Sequence, residues 1–316
     1  MPRILLVKTS SLGDVVHNLP VASDIAVAMG GAQIDWVVEE AYAALPRLHR
    51  NVARVIPAAV RRWRKSFWKA TTAGEVRGFV DILRATRYEA IIDTQGLLKS
   101  ALIARAANGT RYGLNWRASR EPLFPFYDRT FAVPRDRHAV ERNRSLAAQA
   151  LGYAIPGDVD YGLRAVDKAF TWLPRPNYAV FLHGSARPAK AWPEERWGAL
   201  VKGLQARELA LVLPWGSAEE RARSERLASI SGAVVPPRLD VADMATLLGK
   251  ARCVVGVDTG LTHLAGALGA PTVGVYTATH VAHHGLYGCP RAASVGGVRA
   301  MPDVAAIERA LAQLGV

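Results

Sequence analysis

Cysteine is nearly absent. Cys253 and Cys289 lie far apart, the first inside an apolar run that reads as a buried strand, so both read as structural and neither a disulfide framework nor a CxxC metal pair is indicated. Long apolar runs are missing too: the longest, such as residues 178–182 and 253–257, are strand-sized, far short of the ~20 residues that span a bilayer. The opening Met1-Pro2-Arg3 enters a β-like segment with no stretch of signal-peptide length, so a cytoplasmic chain is expected. No GxGxxG, P-loop or GxSxG occurs, and no low-complexity tract. Half of the residues are apolar, so the chain is expected to be folded throughout.

At 316 residues the length fits two domains of about 150 residues each. The net charge of +13 points to an anionic partner or surface. Nucleic acid, membrane and phosphorylated substrates all qualify, and a basic balance also serves solubility, so local patterning has to choose.

Residues 3–7, 34–38 and 90–93 read as strands, and 20–29 and 97–107 as helices. After the irregular stretch 153–176 a second series begins. Residues 178–183, 210–213, 254–258 and 272–276 read as strands, with helices opening at Glu194, Glu219, Val241 and Thr262 between them. The fold class expected is α/β, two doubly wound sheets, whose ligands bind at the carboxyl ends of strands and in a cleft between facing sheets.

Four constellations follow strands or carry unusual charge. Lys8-Thr9-Ser10-Ser11-Leu12-Gly13-Asp14 sits between a strand and a helix, where Asp14 reads either as a helix cap or as a general base for a sugar hydroxyl. Asp258-Thr259-Gly260-Leu261-Thr262-His263 opens a helix whose N–H groups, with the Thr259 and Thr262 hydroxyls, suit a phosphate; a turn with an N-cap and a buried histidine is the plainer reading. In the loop 184–193, Lys190 can hold a leaving diphosphate or simply be solvated. Residues 61–69 are the densest basic run, interleaved with aromatics; they read as a grip on an anionic acceptor, lipid or nucleic acid, or as a solvated helix face with Trp63 and Phe67 turned inward. His280, His283 and His284 invite a zinc site, which is set aside because no carboxylate lies at ligand spacing and the stretch reads as an irregular loop.

Together with Trp36-Val37-Val38-Glu39-Glu40, Asp93-Thr94-Gln95-Gly96-Leu97 and Leu213-Pro214-Trp215-Gly216, these segments resemble the ADP-heptose:lipopolysaccharide heptosyltransferases over nearly the whole chain. The Lys8-Thr9-Ser10-Ser11 start and the Asp258-Thr259-Gly260 form are most like the members that add the first heptose; addition of the second heptose is the alternative, and a basic nucleic-acid-binding protein the alternative from another class.

The resemblance implies a GT-B architecture: an acceptor-binding Rossmann-like domain over 1–160, a donor-binding one over 161–303, and a terminal helix, 304–316, that returns to the first. It implies metal-independent inverting transfer without a cofactor, from ADP-heptose to the first Kdo of Kdo2-lipid A. Asp14 is then the base. Ser185, Lys190, Glu220, Asp258, Thr259, Gly260, Leu261 and His263 correspond to the donor site, Glu220 to the adenosine ribose. Ser11, Gly13, Arg61, Arg62, Arg64, Lys65 and Arg120 correspond to the acceptor site. The family often has threonines and acidic residues before the phosphate lysine; here Ser185-Ala186 and Pro188-Ala189 stand there, which removes a hydroxyl. A monomer that binds no nucleic acid and sits peripherally on the anionic cytoplasmic face of the inner membrane is expected.

Overall fold

The computed structural model describes every residue except Phe67, Ala165, Val166, Arg175, Ala186, Ala206, Arg207 and Glu208, and the side chains of Leu204 and Gln205. The expected inward packing of Phe67 and the substitution at Ala186 therefore lie outside the described residues. Contacts divide the chain into two units, Met1–Arg164 and Ala165–Val316. The boundary falls four residues beyond the expected one.

The first unit holds six strands: β1 (Arg3–Val7), β2 (Gln33–Glu39), β3 (Val52–Ala58), β4 (Arg87–Asp93), β5 (Asn108–Leu114) and β6 (Arg129–Phe131). All pair in parallel, in the order β3-β2-β1-β4-β5-β6. The central strand β1 is buried from Ile4 to Val7, as a parallel strand covered on both faces must be, and that is why it reads as a continuous apolar run. Leu5, Val7, Val37 and Ile91 meet Phe79 and Leu83 of the helix Ala70–Arg84 on one face of the sheet. The helix Ala139–Leu151 ends on Gly152, whose φ of 73° is the left-handed conformation that a glycine accepts without strain.

The second unit holds β7 (Tyr178–Leu182), β8 (Ala210–Val212), β9 (Cys253–Val257), β10 (Thr272–Tyr276) and β11 (Ala292–Gly296), again parallel, in the order β11-β10-β9-β7-β8. Every residue of β7, β9 and β10 is buried. Its core sets Phe181 against Trp197 and Trp192, with ring centroids 5.3 and 5.0 Å apart in succession. The terminal helix Val304–Gln313 is capped by Asp303 and contributes Ile307, Ala310 and Leu311 to that same core, so its contacts count it with the second unit, where a return to the first was expected. The three histidines near 280 also differ from expectation: His283 and His284 lie on a short helix, Val281–His284, which His280 precedes.

Candidate active site

In a doubly wound sheet the loops that follow two neighbouring strands diverge where the strand order reverses, leaving a crevice at their carboxyl ends. In the first unit that point lies between β1 and β4; in the second, between β7 and β9. Three of the four sequence constellations follow β1, β7 and β9, the segment Thr94 to Leu97 follows β4, and the basic run 61–69 follows β3.

After β1 the chain crosses Lys8 to Ser11 into the helix Leu12–Val16. Gln95, after β4, ties this segment down. Its Oε1 accepts from the backbone N–H of Thr9 at 3.0 Å and of Ser10 at 2.9 Å. Lys8 is buried and its Nζ donates to the Thr94 carbonyl at 2.8 Å; burial pushes its ammonium below the usual lysine value, against the pull of Asp14 and Asp93. Asp14 occupies the third position of the helix and reaches back to Ser11, whose backbone N–H and Oγ both donate to Asp14 Oδ2 at 2.8 Å. Asp14 thus closes a capping box from N3, with Ser11 rather than Asp14 at the N-cap position that the plainer reading gave it. Only one carboxylate oxygen is spent in those two bonds.

Lys99, which the sequence reading missed, donates through Nζ to Ser10 Oγ at 2.6 Å. Burial lowers its ammonium pKa, with Arg61 and Arg64 lowering it further and Glu39 and Asp14 opposing them. These couplings place Lys99, Asp14, Arg61 and Arg64 in one neighbourhood.

The basic residues of the helix Val60–Lys65 are not equivalent. Arg62 is engaged: it makes ion pairs with Glu40 at 3.2 Å and Glu75 at 2.7 Å. Arg61 lies over the Tyr42 ring, 5.3 Å from its centroid. Arg64 and Lys65 are exposed and, among the described residues, make no ion pair. Trp63 packs on Phe79 at 5.3 Å and donates its indole N–H to Glu75, so it is turned inward as expected. Arg120 is exposed on the loop after β5, one residue beyond the buried Ser119.

In the second unit the loop after β7 carries Ser185 and Lys190, and the helix Gly260–Ala267 follows β9. Lys190 Nζ lies 2.6 Å from Asp258 Oδ2, and His263 Nε2 lies 3.5 Å from Asp258 Oδ1. Burial would raise the Asp258 carboxyl pKa; hydrogen bonds from His263, Lys190 and Thr279 outweigh burial and hold it well below the usual range. Thr259 stands at the N-cap position in extended conformation without a side-chain capping bond, and the first-turn N–H groups of Gly260 and Leu261 have no partner within the helix. Thr262 is a correction: its hydroxyl is buried and donates to the Val257 carbonyl at 2.6 Å, so it does not serve an anion. Ser185 is occupied locally, its Oγ accepting from the Arg187 N–H at 3.2 Å.

Glu220 stands in the first turn of the helix Ala218–Ser231, and its Oε2 accepts from the Gly216 N–H at 2.7 Å. It also presses on the loop after β7, because a Cβ on Gly184 would fall 2.4 Å from Glu220 Oε1. Ser185, Lys190, Glu220 and the residues 258–263 thus belong to loops and helix starts that follow strands of one sheet. Among the described residues no group of His, Cys, Asp and Glu is arranged to hold a metal ion.

The description "Glycosyltransferase family 9 (heptosyltransferase)" matches residues 76–310. The chain is 49% identical to lipopolysaccharide heptosyltransferase 1 of Pseudomonas aeruginosa, over 90% of its own length and 81% of the relative's. The solved E. coli heptosyltransferase WaaC with ADP superposes with a TM-score of 0.90 at 38% identity, covering 99% of both chains. E. coli ADP-heptose lps heptosyltransferase II superposes at 0.78 with 18% identity, covering 99% of this chain and 100% of that one, a likeness of fold alone. The fold is GT-B, two Rossmann-like units, and the chain belongs to glycosyltransferase family 9, the heptosyltransferases.

Proposed function

We propose that the chain moves L-glycero-D-manno-heptose from ADP-heptose to the first Kdo of Kdo2-lipid A, the first heptose transfer of the lipopolysaccharide inner core. The similarity to lipopolysaccharide heptosyltransferase 1 supports the donor and acceptor classes. The observation that carries the chemistry is Asp14, placed by Ser11 at the carboxyl end of β1 with one carboxylate oxygen left over.

In this reading a Kdo hydroxyl oxygen attacks the anomeric carbon while Asp14 takes its proton. The bond from that carbon to the diphosphate oxygen breaks, ADP leaves from the opposite face, and the configuration inverts. Positive charge grows on the sugar and negative charge on the departing diphosphate, so donors aimed at the diphosphate lower the barrier. Lys190 and the N–H groups of Gly260 and Leu261, which follow Thr259 at the helix start, supply them; Asp258 and His263 hold Lys190 and the loop in place, with Ser185 beside them. Glu220 receives the adenosine ribose. No step calls on a cofactor.

The first unit takes the acceptor and the second the donor. Ser11 and Gly13 frame Asp14, and Arg61, Arg64, Lys65 and Arg120 meet the acceptor's carboxylates and phosphates. Arg62, already paired with Glu40 and Glu75, has the smallest share. The enzyme works as a monomer, peripheral on the cytoplasmic face of the inner membrane. Among the described residues no helix is long and apolar enough to cross it. The inward-turned Trp63 and the paired Arg62 take two residues of the basic run out of a nucleic-acid stripe.

The test offers ADP-heptose with a Kdo-terminated and, separately, a heptose-terminated acceptor, and follows the product mass and anomeric configuration. Transfer to the Kdo-terminated acceptor alone, with inversion, is expected. Transfer to the heptose-terminated acceptor alone would make it the enzyme of the second heptose.

A further inference from the structure

Four large apolar side chains stand in solvent on three neighbouring pieces of the first unit. Leu98 and Leu102 lie one turn apart on the helix Leu98–Ala106, Trp116 on the loop after β5, and Phe124 at the start of the turn Phe124–Phe126. They are 48%, 53%, 63% and 51% exposed respectively. Exposed apolar residues scattered singly need no explanation, but a concentration of them on joined elements does.

The pieces are fastened together. The Leu98 N–H donates to Glu121 Oε2 at 2.7 Å, tying the helix to the stretch before Phe124, and Arg142 of the helix Ala139–Leu151 steadies the loop after Trp116 by donating to the Ala118 carbonyl at 2.9 Å. Ala101 turns inward and packs with Leu123 and Tyr127, with Phe126 against them. Spacing by four puts Leu98 and Leu102 on a common face, so these side chains point out of a built surface rather than hang from loose chain.

Basic residues are interleaved with them. Arg105 follows Leu102 by three on the same helix, and Arg117 lies over the Trp116 ring, 4.9 Å from its centroid. Both are exposed and, among the described residues, neither makes an ion pair. The surface adjoins the Asp14 neighbourhood: Lys99, next to Leu98, donates to Ser10 Oγ, and the Ser119 hydroxyl lies 3.9 Å from where a Cβ of Gly96 would stand.

We propose that this surface seats the protein on an anionic lipid bilayer. Leu98, Leu102, Trp116 and Phe124 enter the boundary between headgroups and acyl chains, and Arg105 and Arg117 meet the lipid phosphates. An apolar face with basic residues and aromatic side chains between them is the chemistry of an interfacial anchor. The free positive charges beside the apolar side chains select a lipid surface of negative charge. Its link to catalysis rests on the acceptor reading above: a lipid-anchored sugar reaches Asp14 only if this rim of the unit lies at the membrane.

Flotation with vesicles tests it, using phosphatidylethanolamine with phosphatidylglycerol against phosphatidylcholine alone. Wild type is expected to float with the anionic vesicles, less so in high salt, and Leu102→Asp with Phe124→Asp to partition at least tenfold more weakly. Val27→Asp, at an exposed apolar position elsewhere, is expected to float like wild type. The double variant should turn over a de-acylated, water-soluble Kdo acceptor at the wild-type rate. If the aspartates lower the melting temperature, Leu102→Gln with Phe124→Gln replaces them with the same expectation. Wild type that stays off anionic vesicles, or double variants that float undiminished, would overturn the proposal. Flotation needs no substrate, so a protein that floats as described but does not act on Kdo acceptors contradicts the functional reading and leaves the docking surface standing.

Discussion

The ammonium of Lys190 lies 2.6 Å from Oδ2 of Asp258, joining the loop after β7 to the end of β9 across the strand-order reversal of the second unit. Asp258 is the more deeply buried partner, its side chain 7% exposed against 22% for Lys190. A lysine carries three donors, and this pair occupies one, so the ion pair fixes the ammonium without exhausting it.

Lys190→Ala removes the counter-charge of a buried carboxylate and, on the proposed function, the donor to the diphosphate. A fall in kcat/KM of about 10²-fold is expected, together with weaker inhibition by ADP. Steady-state kinetics with ADP as a competitive inhibitor checks this. An unchanged ADP inhibition constant would remove Lys190 from the donor site.

Gln95 holds the segment that carries Asp14, accepting two backbone N–H groups through a single oxygen. Gln95→Ala leaves both donors without that acceptor, at about 1–3 kcal/mol for each that stays dry. The segment should loosen and kcat fall by about 10²-fold, the cost of misplacing a catalytic group by an ångström. Gln95→Glu keeps an acceptor in place and is expected to recover most of the loss.

Gly184 lies so close to Glu220 that an added Cβ would meet its carboxylate at 2.4 Å. The carboxylate is the far end of a flexible side chain and can swing away, so Gly184→Ala should change the melting temperature little. On the proposed ribose role of Glu220, its displacement weakens donor binding instead. KM for ADP-heptose is expected to rise on the order of tenfold with kcat nearly kept, as suits the loss of one hydrogen bond to a charged group.

Two buried histidines make stability pH-dependent. Burial, chiefly, pushes His49 and His183 each down to about 4. His49 Nδ1 accepts from the Asn51 N–H at 3.1 Å, so its protonation breaks that bond. The unfolded chain binds these protons near pH 6.5 and the folded chain only near 4, so the stabilisation is present above 6.5 and is lost as pH falls towards 4. Between pH 7 and pH 5 each histidine should cost about 2 kcal/mol of stability. Melting curves of His49→Gln and His183→Gln should each show a shallower decline than wild type over that interval.

The strands read from the sequence, β1, β2, β4 and β7 to β10, are those with most of their residues buried. β1, β7, β9 and β10 are continuous apolar runs because neighbours and helices enclose them. β3, β5, β6 and β11 went unread because their residues are mostly half-exposed; β3 and β5 mix arginine, glycine or proline with apolar positions. The helix Ala70–Arg84 was missed for a like reason, with only Thr72, Phe79 and Leu83 buried among its fifteen residues.

The loops with site chemistry were found because strand-to-helix joints in such sheets are where ligands bind. Their partners were not. Gln95 and Lys99 reach Thr9 and Ser10 across more than eighty residues, and Glu75 neutralises Arg62 from a neighbouring helix. Lys99 follows the motif ending at Leu97 by two positions, which on a helix start below β4 is the one signal that could have marked it.

The most direct test measures ADP release from ADP-heptose in the presence of Kdo2-lipid A, for wild type and Asp14→Ala, with the mass of the lipid read from the same samples. The expected result is ADP formed in step with a lipid heavier by one heptose, and a variant slower by about 10²–10⁴-fold that remains folded. A variant that transfers heptose at close to the wild-type rate, or a lipid that gains nothing while ADP accumulates, would contradict it.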